Sequence, residues 1–174
     1  MVASKSSDRF VPSDGAGWPG PRTVCLWLAL LALASLAFAF LLEYAFGMHP
    51  CALCIKERYA FGALAVAGLG GFLLDQGRLG LLLCLAILLG TTGLTVYHVG
   101  VEFGWFEMSA TCTGAGRANS LEDLRKMLQV AGPTCDRPAW LVPNVLSVAQ
   151  ATAAWAALLT VLTASTVVRT FVRR

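Results

Sequence analysis

The chain has 174 residues, of which 57% are hydrophobic and only 13% charged, with a formal net charge of +3. Soluble domains carry roughly a quarter of their residues as charges, so an ordinary soluble fold is excluded, and so small and scattered a positive charge excludes a nucleic-acid surface. The sequence shows no repeat and no phosphate-binding glycine loop, and its few charges cluster between long uncharged runs, which is the pattern of an integral membrane protein.

In chain order, residues 1–22 are polar, rich in Ser, Gly and Pro, and carry Lys5, Arg9 and Arg22; they read as a disordered tail. Thr23 to Leu42 is uncharged over 20 residues, enough to cross a hydrocarbon core of about 30 Å at about 1.5 Å per residue. Ala37-Phe38-Ala39 resembles a signal-peptide cleavage site, but the apolar run is longer than the usual ~7–15 residues and its leader is long. The second run, Tyr59 to Leu74, is short alone and is lengthened by a helix beginning near Cys51, with Pro50 in its first turn. Asp75-Gln76-Gly77-Arg78 is a tight turn, Leu79 to Val101 a third run, and Glu102 to Arg137 the one substantial polar segment. No charge appears from Pro138 to Val168, and the chain closes on Arg169, Arg173 and Arg174.

The expected fold is therefore all-α: a four-transmembrane-helix bundle with spans at about 23–42, 55–74, 79–101 and 143–168. Outer loops fall at 43–54 and 102–142, with a basic tail at 169–174. Basic residues set the orientation. Lys5, Arg9, Arg22, Arg78, Arg169, Arg173 and Arg174 lie in the tails and the 75–78 turn, so both termini are expected to be cytoplasmic. Both outer loops then face the oxidising side, where disulfides persist. Ala63, Ala67 and Gly71, and Ala149, Ala153 and Ala157, recur at the four-residue spacing that lets membrane helices pack closely.

Six cysteines are present. Cys25 and Cys84 fall inside apolar runs and read as small hydrophobes. Cys51, Cys54, Cys112 and Cys135 all fall on the expected outer side. Cys51 and Cys54 form a C-x-x-C at a helix start, where the helix dipole and a nearby cation lower a thiol's pKa. The natural grouping is two redox pairs, one local and one closing the second loop. A four-thiolate zinc site is the alternative, but it wants two close pairs, and 22 residues separate Cys112 from Cys135. Two inert structural disulfides are the other alternative. Ser120 can cap a short helix on which Leu121, Leu124, Leu128 and Ala131 share a face, suited to the membrane interface or to packing on the protein. Gly132-Pro133 ends it and leaves Cys135 on irregular, mobile chain.

Cys54 and Arg58 are four residues apart and share a helix face. A cation there can hold Cys54 as thiolate, and an arginine near a span end is costly unless used or snorkelling. Glu57 reads as exposed or as a partner for Arg58, and the aromatics of Phe103 to Phe106 as an interfacial belt.

With these residues in place, the chain resembles the disulfide bond formation protein B (DsbB) family over most of residues 23–168. The specific signals are Pro50-Cys51-Ala52-Leu53-Cys54 with Glu57-Arg58, Tyr97-His98 at the outer end of span three, and Cys112 with Cys135. Cys135-Asp136, Trp140 and Pro143 also fit. The resemblance implies a quinone-dependent protein-dithiol oxidase of the bacterial inner membrane. A periplasmic DsbA-type thioredoxin-fold oxidase would be reoxidised by a Cys112–Cys135 disulfide. Cys112 would be the sulfur attacked, Cys135 would pass the exchange to Cys51, and Cys54 would face the quinone, with Arg58 and His98 bordering it. It implies ubiquinone or menaquinone as cofactor and no metal. A vitamin K epoxide reductase-like enzyme shares the bundle, the C-x-x-C and the quinone, but places its C-x-x-C in the last span, the reverse of the order here. A membrane scaffold with structural disulfides is the non-enzymatic alternative.

Overall fold

The computed structural model describes residues 19–107, 112, 121–122 and 134–172. Four long helices dominate: α1 (Pro21–Phe46), α2 (Ala52–Leu73), α3 (Gly77–Glu102) and α4 (Val148–Val172), with a two-stranded hairpin, β1 (Trp140–Val142) and β2 (Leu146–Ser147), ahead of α4. The expected N-terminal tail, the last two arginines and almost all of the expected helix at 120–131 lie outside the described residues.

The helices start and stop where local chemistry requires. Pro21 sits in the first turn of α1, where a missing N–H costs nothing. Gly47 ends that helix at φ 66, and the Met48 N–H closes back on the Leu42 carbonyl at 3.1 Å, so the chain stops on a left-handed glycine. Helix α2 begins one residue later than expected. Cys51 is its cap, in extended conformation, and its sulfur accepts the Cys54 N–H at 3.3 Å. Pro50 thus precedes the cap instead of opening the helix, and of the two thiols only Cys54 is in the first turn.

The last helix departs most from expectation. It begins at Val148 and not near Pro143, because Pro143 and Asn144 occupy the centre of a turn closed by the Val145 N–H on the Val142 carbonyl at 3.0 Å. Asn144 takes φ 57 there, a conformation Asn tolerates. Trp140 pairs with Ser147 and Val142 with Leu146, antiparallel, with a register shift between them. Ser147 then caps α4: its hydroxyl accepts the Gln150 N–H at 3.1 Å, and the Gln150 side chain accepts the Ser147 N–H at 3.3 Å. This reciprocal pair is the capping box, and Ser147-Val148-Ala149-Gln150 carries its spacing in plain sight.

Three helices, α1, α3 and α4, are long and apolar enough to cross a membrane. Helix α2 has 22 residues, with Lys56, Glu57 and Arg58 near its start. Leucines, valines and phenylalanines such as Leu30, Phe38, Leu82, Leu89, Val96, Leu158 and Val161 are exposed around the bundle, an apolar exterior that only a lipid environment solvates well. Helix α1 packs chiefly on α2, α4 on α3, and α2 on α3; α1 and α4 barely touch.

The small-residue stripe of α2 is not Ala63-Ala67-Gly71. Ala63 is exposed and Ala67 half-buried; the buried face runs Leu53, Glu57, Phe61, Leu64, Ala65, Gly68, Gly71. A Cβ on Gly68 would stand 2.6 Å from the Cys25 carbonyl oxygen, and one on Gly71 would stand 2.9 Å from the Gly80 Cα. Helices α1, α2 and α3 therefore meet backbone to backbone, with the buried Cys25 and Cys84 thiols filling their crossing as small hydrophobes do. In α4, Ala149 is buried and Ala153 and Ala157 are not fully so. Thr92 and Thr160 join α3 to α4 through a 2.8 Å hydroxyl pair, a polar link that membrane helices commonly use.

Candidate active site

The up-and-down helix order brings the end of α1, the start of α2, the end of α3 and the start of α4 to one end of the bundle. There Cys51, Leu53, Val101, Cys112 and Cys135 form a buried cluster with Cys54 packed against it. Both thiol pairs expected from the sequence thus meet in one place. Cys135 is on irregular chain, as expected, and its side chain is buried, 1% exposed. It lies against Cys112 and accepts a hydrogen bond from the Leu53 backbone N–H.

All six cysteines are thiols in this structure. The Cys51 thiol donates to the Cys54 sulfur at 3.1 Å, and the two titrate apart. Cys54, in the first turn ahead of the apolar stretch, is held below the ordinary thiol range, chiefly by the hydrogen bond from Cys51 and against the effect of burial. Cys51, as donor, is pushed up to about 12 by the same bond and by burial. Cys135 is also pushed up to about 12, by burial first and by its bond with Cys112 second. The hydrogen bond thus favours thiolate at Cys54 over thiolate at Cys51.

Arg58 is not what holds Cys54. Its guanidinium pairs with Glu43 at the end of α1, donates to the Ala39 carbonyl at 3.2 Å, and lies over the Phe40 ring at 4.9 Å. Glu57 is neither exposed nor the partner of Arg58. It is buried on the inward stripe of α2, where its Oε1 accepts the His98 Nδ1–H at 2.7 Å. The other nitrogen of His98, Nε2, faces the Cys51 sulfur at 3.6 Å. Sequence reasoning misses Glu57, although the signal is there: Leu53, Glu57, Phe61 and Leu64 recur at helical spacing, which puts the carboxylate on the core face. The donor atoms of Cys51, Cys54 and His98 lie within 4.8 Å of one another. The two sulfurs, at 3.1 Å, are closer than the ~3.8 Å that two thiolates on a tetrahedral zinc at about 2.3 Å would keep.

Where α1 and α4 part, a cavity of about 390 Å³ opens. Its walls are mostly apolar: Leu31, Leu42 and Phe38 of α1, Phe61 of α2, and Ala151 and Trp155 of α4. Its polar end holds Cys54, Glu57, Arg58 and His49. Trp155 Nε1–H donates to Ser35 Oγ at 3.1 Å, tying the two parted helices together. Among the six cysteines only Cys54 lines this cavity. His98 does not line it; it stands behind Cys51. An apolar hollow of this size with a few convergent polar groups has the ordinary make-up of a small-molecule site.

A helical membrane protein with two thiol pairs packed together, one sulfur of which opens on an apolar cavity, is built for thiol–disulfide chemistry. The family model described as Disulfide bond formation protein DsbB matches residues 21–166. Among individual relatives, disulfide bond formation protein B 2 of Pseudomonas putida is 32% identical over 126 residues, 68% of this chain and 74% of the relative. Disulfide bond formation protein B of Albidiferax ferrireducens is 37% identical over 95 residues, 52% of each chain. An uncharacterized protein of Rickettsia prowazekii is 30% identical over 123 residues, 68% of this chain and 72% of that protein. The chain belongs to the DsbB family, and with it to the membrane proteins of disulfide bond formation.

Proposed function

We propose that this protein reoxidises a soluble periplasmic dithiol oxidase of the DsbA type and passes two electrons to a membrane quinone. In this reading all four helices cross a bacterial inner membrane, both termini are cytoplasmic and the thiol cluster is periplasmic. The observation that carries it is the gathering of Cys51, Cys54, Cys112 and Cys135 at one end of the bundle, with Cys54 alone open to the cavity.

The exchange runs toward Cys54, the sulfur whose thiolate is favoured. A partner thiolate attacks Cys112 of a Cys112–Cys135 disulfide, and Cys135 leaves as thiolate. The partner's second thiolate closes its own disulfide and releases Cys112. Cys135 then attacks Cys51 of a Cys51–Cys54 disulfide, and Cys54 leaves as the thiolate that its environment favours. Cys112 attacks Cys135, restores the loop disulfide and releases Cys51. Two electrons now reside on the C-x-x-C. The cavity beside Cys54 has the size, apolar walls and polar end that a quinone ring needs, and a quinone bound there supplies a two-electron acceptor. Arg58, fixed by Glu43 and Phe40, presents its remaining donors at the cavity's polar end, where they would orient and stabilise a ring oxygen.

The test is purified protein mixed with a reduced DsbA-type thioredoxin-fold protein and a soluble quinone analogue, with thiols and quinone followed together. One quinone reduced per partner disulfide formed is expected. Partner oxidation without quinone consumption, or no oxidation, would overturn the reading.

A further inference from the structure

Glu57, His98 and Cys51 form a buried line of three groups: a carboxylate at 2.7 Å from Nδ1, and a thiol sulfur at 3.6 Å from Nε2. All three are buried. A carboxylate at Nδ1 requires the proton there, so in the neutral ring the Nε2 lone pair is directed at Cys51. We infer that His98 is the group that exchanges a proton with Cys51, and that Glu57 is the positioning residue that holds its ring and offsets its charge. This rests on the redox reading of the Cys51–Cys54 pair.

The geometry explains why Cys51 needs such a group. While Cys54 is thiolate, the Cys51 proton lies in the sulfur–sulfur hydrogen bond. Once Cys54 has spent its charge, that acceptor is gone, and Cys51 must still become thiolate to close a disulfide. The step is a proton transfer alone: the S–H bond of Cys51 breaks, the Nε2–H bond of His98 forms, and thiolate faces imidazolium with no change in electrons. The reverse occurs when Cys51 leaves Cys135: the imidazolium returns the proton to the departing sulfur. Among the described residues, Glu57, Cys51 and Cys54 of α2 and its cap are the titratable groups facing His98, and Cys135 reaches the same cluster from the loop before β1. Arg58 is committed to Glu43 on α1, and on α4's side Ser147 donates to Glu102 at 2.7 Å.

The Cys54→Ala chain, reduced and free of quinone, mimics the state with the Cys54 charge removed. The rate of Cys51 alkylation by iodoacetamide against pH, read by peptide mass, should then show a midpoint within the range of about 3.5–7.5 found for thiols paired with a cation. Adding His98→Gln should return it toward about 8.5 and slow alkylation at pH 6.5 at least tenfold. Glu57→Gln keeps an acceptor for Nδ1–H but no charge, and should raise the midpoint by about one unit, a shift that a packing role would not produce. A profile unmoved by both substitutions overturns the inference. Should either variant fold poorly, the chain with its own Glu57 and His98 decides. It has only two histidines, His49 and His98, so ¹⁵N-histidine spectra read the ring directly. The His98 ring should become imidazolium when Cys54 is alkylated; a ring in the same protonation state before and after overturns the inference. Neither measurement uses a quinone or a partner protein, so each tests the proton transfer even where the oxidase reading fails.

Discussion

At the scale of single residues, the C-x-x-C is asymmetric because one thiol donates to the other. Cys54 is lowered by the Cys51 donor, while burial and the Glu57 charge push it the other way. Its thiolate is thus present below the ordinary thiol pKa and is lost as pH falls through the lowered value. Cys51→Ala removes the largest lowering influence and keeps only the weaker backbone hydrogen bond from residue 51 against burial and the Glu57 charge, so the Cys54 titration should move up. A charge-assisted hydrogen bond contributes about 1.5–3 kcal/mol, or roughly ten- to a hundred-fold in thiolate population at 1.4 kcal/mol per decade. Alkylation of Cys54 at pH 7 should fall by that factor in Cys51→Ala and partly recover in Cys51→Ser, which keeps an O–H donor. Arg58 behaves differently. Because Cys54 does not depend on it, Arg58→Met should leave the Cys54 titration where it is and raise the apparent KM for quinone. Arg58→Lys should fall between, keeping the charge but losing the planar fork that reaches Glu43 and the Ala39 carbonyl together. Matched quinone kinetics in Arg58→Met and the unmodified protein would reduce Arg58 to a helix-end anchor.

At the scale of elements, the bundle is closest-packed at its far end and parted near the site. Gly68 and Gly71 let α2 approach α1 and α3 within backbone contact. Gly68→Ala and Gly71→Ala force that contact apart and should each destabilise by about 1–3 kcal/mol, the usual cost of overpacking. Gly62 and Gly70 on the same helix have nothing within 4 Å of an added Cβ. Gly62→Ala and Gly70→Ala should instead be neutral or stabilise by about 0.5–1 kcal/mol through lost unfolded-state freedom. Thermal unfolding of the four variants in one detergent separates the two pairs. The existence of α1, α3 and α4 is legible in the sequence because uncharged runs of 20 or more residues have few other solutions, while α2 is legible only once its short run is extended back to Cys51. The start of α4 is signalled twice, since Pro143 is compatible with a helix's first turn while the Ser147…Gln150 capping box marks the true one, and the left-handed Asn144 between them turns the chain back. The inward face of α2 is ambiguous in the sequence because two small-residue stripes compete on that helix, and which one is buried depends on the partners α1 and α3.

At the scale of the whole molecule, the sequence names the parts of the site, and tertiary packing connects them. Cys51, Cys54, Cys112 and Cys135 can be named from spacing and side of the membrane, whereas their convergence on one buried cluster depends on how helix ends meet. The hydrogen-bond line from Glu57 through His98 to Cys51 joins residues 41 and 47 positions apart, and the α1–α4 gap exists only because α1 prefers α2 and α4 prefers α3. The central claim is that the two thiol pairs are one conducting path, joined between Cys135 and Cys51. The most direct measurement is to leave only that junction, in the chain carrying Cys25→Ala, Cys54→Ala, Cys84→Ala and Cys112→Ala, so that of the six cysteines only Cys51 and Cys135 remain, expose it to mild oxidant, and map disulfides by mass analysis of unreduced peptides. An intramolecular Cys51–Cys135 disulfide is the expected main product; thiols that stay reduced, or that link only between molecules, would contradict the claim.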